Sequence, residues 1–163
     1  MAQVLEKDSL ALVEFYNSLD GPNWVYNGNW LSGPVGSWAQ VQVKNGRVVD
    51  IRMAYNGLSG QIPESINNLD ALEHLELGYN TGLKGPLPPL DSLKNLNFIN
   101  ISEMAINGPF PLFLLEMSNL VNLDLYDCQF SGTLPDLFSL QKLEVLQIGQ
   151  NDFGALFLNG SLI

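Results

Sequence analysis

The chain has 163 residues, with 46% hydrophobic and 15% charged side chains, a balance that sustains a packed core rather than a disordered chain. Lys and Arg number 7 against 17 Asp and Glu, for a net charge of −10, so a phosphate backbone or an anionic membrane surface is repelled. One Cys rules out an internal disulfide and a cysteine zinc site, and His74 is the only histidine; catalysis is not expected, nor is a metal or a cofactor.

The chain starts Met1-Ala2-Gln3-Val4-Leu5-Glu6-Lys7-Asp8, without the basic flank and apolar core of a signal peptide. No run approaches the roughly 20 apolar residues of a bilayer span, so membrane insertion is not expected. Two readings follow: a cytoplasmic protein, or an exported one whose signal has been removed and whose Met1 comes from cloning.

Ser9–Leu19 carries Leu12, Phe15, Tyr16 and Leu19 on one helical face. Asp8 or Ser9 is expected to cap this helix, and Gly21-Pro22 to end it. Trp24, Trp30 and Trp38 follow in a Gly/Asn/Pro-rich stretch and read as a small aromatic core. Val41-Gln42-Val43 and Arg47-Val48-Val49, joined through Lys44-Asn45-Gly46, predict a hairpin, because Asn-Gly suits a tight turn.

From Val48 onward the chain repeats. Val48, Leu72, Leu96, Leu120 and Leu143 recur at a spacing of about 24 residues. Each precedes an apolar pair two apart: Ile51/Met53, Leu75/Leu77, Ile99/Ile101, Leu123/Leu125 and Leu146/Ile148. Asn56, Asn80, Met104, Cys128 and Asn151 come next, and then Leu58, Leu83, Ile106, Phe130 and Phe153. Four units continue with Gly-x-apolar-Pro, beginning at Gly60, Gly85, Gly108 and Gly132. The pair predicts a short strand with one buried face, stacked with its neighbours into a parallel sheet. The Asn amides are suited to a ladder that satisfies backbone groups of adjacent coils. Gly and Pro break the return segment, leaving room for only short helical or 3₁₀ turns, as at Glu64–Leu69 and Leu112–Met117.

Over about residues 47–156 this pattern resembles the leucine-rich repeat family, in the plant-type subtype whose unit ends Leu-x-Gly-x-Ile-Pro. The resemblance implies an α/β solenoid: a right-handed superhelix with a parallel concave β-sheet, an irregular or 3₁₀ convex side, and an N-terminal helical and hairpin cap. Residues 1–46 are expected to form that cap, and 47–163 about five repeats, the last incomplete or atypical. Met104 and Cys128 depart from the ladder Asn, and Gly154-Ala155-Leu156-Phe157 lacks the expected Pro. In plant receptors and inhibitors two cysteines bridge the cap; here Gly36 and Val43 stand at the equivalent positions. The string around Gly21-Pro22-Asn23-Trp24 and Asn29-Trp30-Leu31 is closer to cysteine-free caps of bacterial surface and secreted proteins, so an exported bacterial protein is expected. Asn159-Gly160-Ser161-Leu162-Ile163 is short and apolar for a terminal seal, which suggests a fragment, or self-association through that end.

The resemblance implies that recognition uses the concave face. The partner-binding residues expected there are Arg52, Tyr55, His74, Glu76, Tyr79, Phe98, Asn100, Asn122, Asp124, Tyr126 and Gln147. Glu76, Glu103, Asp124 and Asp127 make an acidic patch without the spacing of a calcium loop, and Cys128 reads as structural. The expectation is a non-enzymatic module, secreted or at the cell surface, binding a protein or polysaccharide through the concave sheet. A structural or adhesive spacer within a larger surface protein is the second reading, and glycoside hydrolysis by concave carboxylates the third. Asn100-Ile101-Ser102 and Asn159-Gly160-Ser161 are glycosylation triplets that a bacterial source would leave bare.

Overall fold

The computed structural model describes residues 3–154, together with a short strand pair at 157–158 and 161–162. Met1-Ala2, the Ala155-Leu156 departure and the Asn159-Gly160 triplet and seal lie outside the described residues.

The helix α1 spans Glu6–Ser18 and buries Ala11, Leu12 and Phe15 against the solenoid. It starts earlier than the capping pattern predicts, because Asp8 is not a cap. Its fully buried carboxylate accepts hydrogen bonds from Arg47 Nε and Nη2, both at 3.1 Å, and from Val48 N at 2.9 Å. Ser9 does not cap either; its hydroxyl donates back to the Leu5 carbonyl. Beyond α1 the chain turns through Gly21, where a Cβ would lie 2.3 Å from the Tyr16 ring, so only glycine fits. Trp24, Trp30 and Trp38 are all buried, and Tyr16 stacks on Trp30 at 5.7 Å between ring centres. Trp24 and Trp30 donate to the Leu19 and Ala39 carbonyls, so burying those two indoles strands no donor.

The strand β1 is Val41–Lys44 and β2 is Arg47–Arg52. They pair antiparallel across Asn45 and Gly46, both at positive φ, as an Asn-Gly hairpin requires. The remaining strands, in chain order, are β3 Ser59–Gly60, β4 His74–Glu76, β5 Gly82–Leu83, β6 Phe98–Asn100 and β7 Gly108–Pro109. After them come β8 Asn122–Asp124, β9 Phe130–Gly132, β10 Val145–Gln147, β11 Asp152–Phe153, β12 Phe157–Leu158 and β13 Ser161–Leu162. The main sheet runs β1-β2-β4-β6-β8-β10 and is parallel from β2 onward. Smaller sheets, β3-β5 and β7-β9-β11, line the return segments just past the ladder. Short 3₁₀ turns occupy Glu64–Asn68 and Leu112–Glu116, where the Pro-broken segments predict them, and they bury Ile66 and Leu114.

Ile51, Leu75, Ile99 and Leu123 stack in register beneath the sheet, each at most 1% exposed. No coil could bury its own apolar face, so this row and its neighbours supply the cohesion. The ladder works as its residue type predicts. Asn80 donates to the Met53 and Leu77 carbonyls at 2.7 Å and accepts from Asn56 N and Leu58 N at 2.9 and 3.1 Å. Asn151 repeats the pattern with the Leu125 and Ile148 carbonyls and with Cys128 N and Phe130 N. At the substituted rung the Cys128 thiol donates to the Ile101 carbonyl at 2.9 Å, and burial pushes its pKa up to about 12. That thiol is structural, not nucleophilic.

Candidate functional site

Alternation along a strand puts every second side chain on the face away from the core, and parallel register aligns those side chains into rows. The first row is Asp50, His74, Phe98, Asn122 and Val145; the second is Arg52, Glu76, Asn100, Asp124 and Gln147. One turn further, backbone bonds from Tyr55, Tyr79, Glu103 and Asp127 to the carbonyls of Gly78, Ser102, Tyr126 and Gly149 continue the ladder past the strands. All eleven residues expected on the concave face belong to these rows or, in the case of Tyr126, sit between them.

The face is less open than alternation suggests. Phe98 is only half-buried, and its ring stacks flat on His74, with centres 4.0 Å apart and planes 6° apart. His74 Nε2 lies 3.6 Å from Glu76 Oε2, too far for a hydrogen bond, and is otherwise unpartnered and buried. Burial lowers the His74 pKa foremost and Arg52 lowers it further, while Asp50 and Glu76 oppose them. The imidazole is therefore neutral at pH 7. Asp50 and Arg52 form a fork at 2.9–3.0 Å, with the Asp50 side chain buried and the Arg52 side chain largely toward solvent. Lys44, Asp50, Arg52, Glu73, His74 and Asn97 line a polar hollow of about 490 Å³ where the hairpin meets the first coils.

Further along, Asn100 folds over Gly78 and accepts from Ser102 N and Oγ at 3.0 and 2.8 Å. A Cβ on Gly78 would come within 2.3 Å of Asn100 Oδ1, so the glycine makes room for that turn. Ser102 is fully buried, so the Asn100-Ile101-Ser102 triplet is folded in rather than presented. Asp124 accepts from Tyr126 N at 3.0 Å, yet burial raises its carboxyl pKa. The Tyr126 ring lies against Gly149, where a Cβ would meet it at 3.3 Å. Asn122 is half-buried and Gln147 exposed. At the rim, Tyr55 and Tyr79 stack at 4.1 Å with planes 9° apart, and Tyr55 is 64% exposed.

Glu73, Asn97 and Lys44 were absent from the sequence-based set although they line the hollow. Glu73 and Asn97 each follow a repeating core Leu by one residue, so the period could have found them; Lys44 ends β1, ahead of the first repeat, where the period does not reach.

The comparisons with known proteins agree with this architecture. The Leucine Rich Repeat family model matches residues 119–140. Receptor-like protein 36 of Arabidopsis thaliana is 34% identical over 91 residues, covering 55% of this chain and 13% of that protein. The chain thus spans about an eighth of the length of that curated relative. A crystal structure of a plant ice-binding protein superposes with a TM-score of 0.85 at 25% identity, covering 93% of this chain and 50% of the other. A chain of the BIR3–SERK2 complex from Arabidopsis thaliana superposes with a TM-score of 0.78 at 27% identity, covering 90% of this chain and 82% of the other. These relatives are plant proteins and lend no support to the bacterial source expected from the cap. Repeat period, sheet topology and ladder, together with these likenesses, identify the chain as a leucine-rich repeat protein of the plant-type subtype.

Proposed function

We propose that the chain is a non-enzymatic recognition module that holds a protein partner against its concave sheet, outside the cell or at its surface. Residues 1–46 would serve as the cap and 47–163 as the repeats that carry the face. The observation behind this reading is a preformed face: two stacked aromatic pairs and several turn-locked polar groups held on a hydrogen-bonded sheet. Such a surface loses little side-chain freedom when a partner arrives. The BIR3–SERK2 complex, by its description an assembly of two proteins, supports a protein rather than a polysaccharide ligand. Contacts are assigned to Arg52, Tyr55, His74, Glu76, Tyr79, Phe98, Asn100, Asn122, Asp124, Tyr126 and Gln147. A spacer role, polysaccharide binding and self-association are the competing readings, and none draws on a specific contact in the face.

The test is capture of partners from secreted and cell-surface material by the parent chain and by a Phe98→Ala/Tyr126→Ala variant of equal melting temperature. A protein retained only by the parent supports the reading. Equal retention by both would move the site off the concave sheet, and retention by neither would favour the spacer.

A further inference from the structure

We propose that the rim of the concave sheet, Tyr55, Tyr79, Glu103 and Asp127, grips an arginine side chain on an extended basic segment of the partner. The inference rests on the recognition reading above and adds the chemistry of what is recognised. The four residues occupy one position in successive coils. Tyr55 N, Tyr79 N, Glu103 N and Asp127 N each donate to the next coil's carbonyl, at 3.2, 2.8, 2.8 and 3.0 Å. They are therefore spaced like neighbouring strands, about 4.8 Å apart. The row reads, in space, two aromatic rings followed by two carboxylates.

Each half of the row asks for a cation. The tyrosine pair is stacked at 4.1 Å, and Tyr55 leaves 64% of its surface in water, so the pair is open to a partner. Aromatic faces attract cations, and the planar guanidinium stacks on them best. Glu103 and Asp127 hold no ion pair among the described residues, as is true of most carboxylates of this acidic chain, and what sets them apart is their place beside the tyrosine pair in one row. Arg52, the cation of the neighbouring row, is already committed to Asp50. A net charge of −10 draws a basic segment toward this face before contact. A guanidinium lying on the Tyr79 ring reaches the adjacent carboxylate with its fork, whereas a lysine ammonium makes either contact but not both as well. The same field disfavours phosphate and nucleic acid.

The test is fluorescence anisotropy at 0.15 M salt with a labelled Ser-Arg-Ser-Arg-Ser-Arg peptide and its lysine counterpart. The arginine peptide is expected to bind the parent at least about fivefold more tightly than the lysine peptide. Tyr55→Ala/Tyr79→Ala and Glu103→Gln/Asp127→Asn are each expected to weaken it about tenfold, while Tyr55→Phe/Tyr79→Phe, which keeps the rings, retains it. Glu14→Gln/Glu64→Gln removes the same charge elsewhere and should leave binding unchanged. Equal weakening by that control would reduce the effect to the overall field and overturn the proposal, as would unchanged binding in either rim variant or none by the parent. Loss of the native partner in the Phe98→Ala/Tyr126→Ala variant, with rim variants silent toward the peptide, would leave the recognition reading standing and refute this one alone.

Discussion

The cap offers the sharpest quantitative test of the fold. Gly36 and Val43, ahead of the first repeat, stand close enough to be bridged. A Cβ built on Gly36 would lie 3.7 Å from Val43 Cβ and 3.8 Å from its Cγ2, and meets nothing closer. Bridged cysteines place their Cβ atoms about 3.5–4.5 Å apart, so Gly36→Cys/Val43→Cys should close without backbone movement. The loop closed is about eight residues, for which the chain-entropy relation gives about 2.5 kcal/mol at 25 °C. In a chain of 163 residues that corresponds to a rise in Tm of roughly 5–10 °C. The comparison is between the oxidised and reduced forms of the double variant, so the lost Val43 packing cancels. Cys128 is buried and does not compete for either new thiol while the chain is folded. Intact mass and thiol titration in denaturant report closure: one thiol remains if the bridge forms, three if it does not. Calorimetry with and without reductant reports the gain. Three titratable thiols after oxidation, or an oxidised Tm no higher than the reduced one, would refute the geometry assigned to the cap.

Three further outcomes are expected. Asn80→Ala strands two buried carbonyls and two buried amides, each worth about 1–3 kcal/mol, so urea denaturation should show a loss of about 4 kcal/mol, while a loss below about 1 kcal/mol would mean that the ladder is decorative. The His74 pKa is depressed in the folded state, so the unfolded chain binds the proton more readily. Stability should therefore fall as pH drops below about 6.5 toward the lowered native value. The slope between pH 7.5 and 5.0 should shrink in His74→Gln, and equal slopes in parent and variant would sink that assignment. Asp124 is displaced in the other direction, raised by burial, so its charged form costs stability at neutral pH. Asp124→Asn keeps an acceptor for Tyr126 N and should raise Tm at pH 7, with the gap closing as acid protonates the parent carboxyl; a gap that widens in acid would contradict the desolvation argument.

The period exposed the solenoid because a coil that cannot bury its own apolar face must repeat that face at constant spacing, and spacing is visible in one dimension. The ladder and the 3₁₀ turns were legible for a related reason: each follows from the local chemistry of Asn, Gly or Pro at a fixed offset. Asp8 was misread because a carboxylate before a helical pattern looks like a cap. Its actual partner, Arg47, lies 39 residues away, and nothing local announces it. Arg47 also reaches Asp70, which Lys7 contacts at 2.6 Å, so helix, hairpin and first return segment are tied together by charges scattered through the sequence. Pairing of that kind depends on the finished fold. The concave rows were legible because alternation assigns a face to every strand residue. What alternation cannot tell is which of those side chains are spent on one another.

That distinction bears on where binding energy can come from. In the first two rows much of the polar and aromatic chemistry is internally committed: Asp50 with Arg52, His74 on Phe98, Asn100 with Ser102, Asp124 with the Tyr126 amide. A partner meeting these groups gains from shape and from excluding water, because most of their hydrogen bonds already exist. The rim differs. Glu103 and Asp127 hold no ion pair among the described residues, and the Tyr55 ring is mostly in water. New interactions are therefore available at the rim, whereas the rows supply a rigid platform beside it. On this division, substitutions within the rows should act mainly on fit and dissociation rate, and substitutions at the rim on charge selectivity and salt dependence. The partner-capture and peptide experiments divide along the same line: the first asks whether the platform is used, the second what the rim selects.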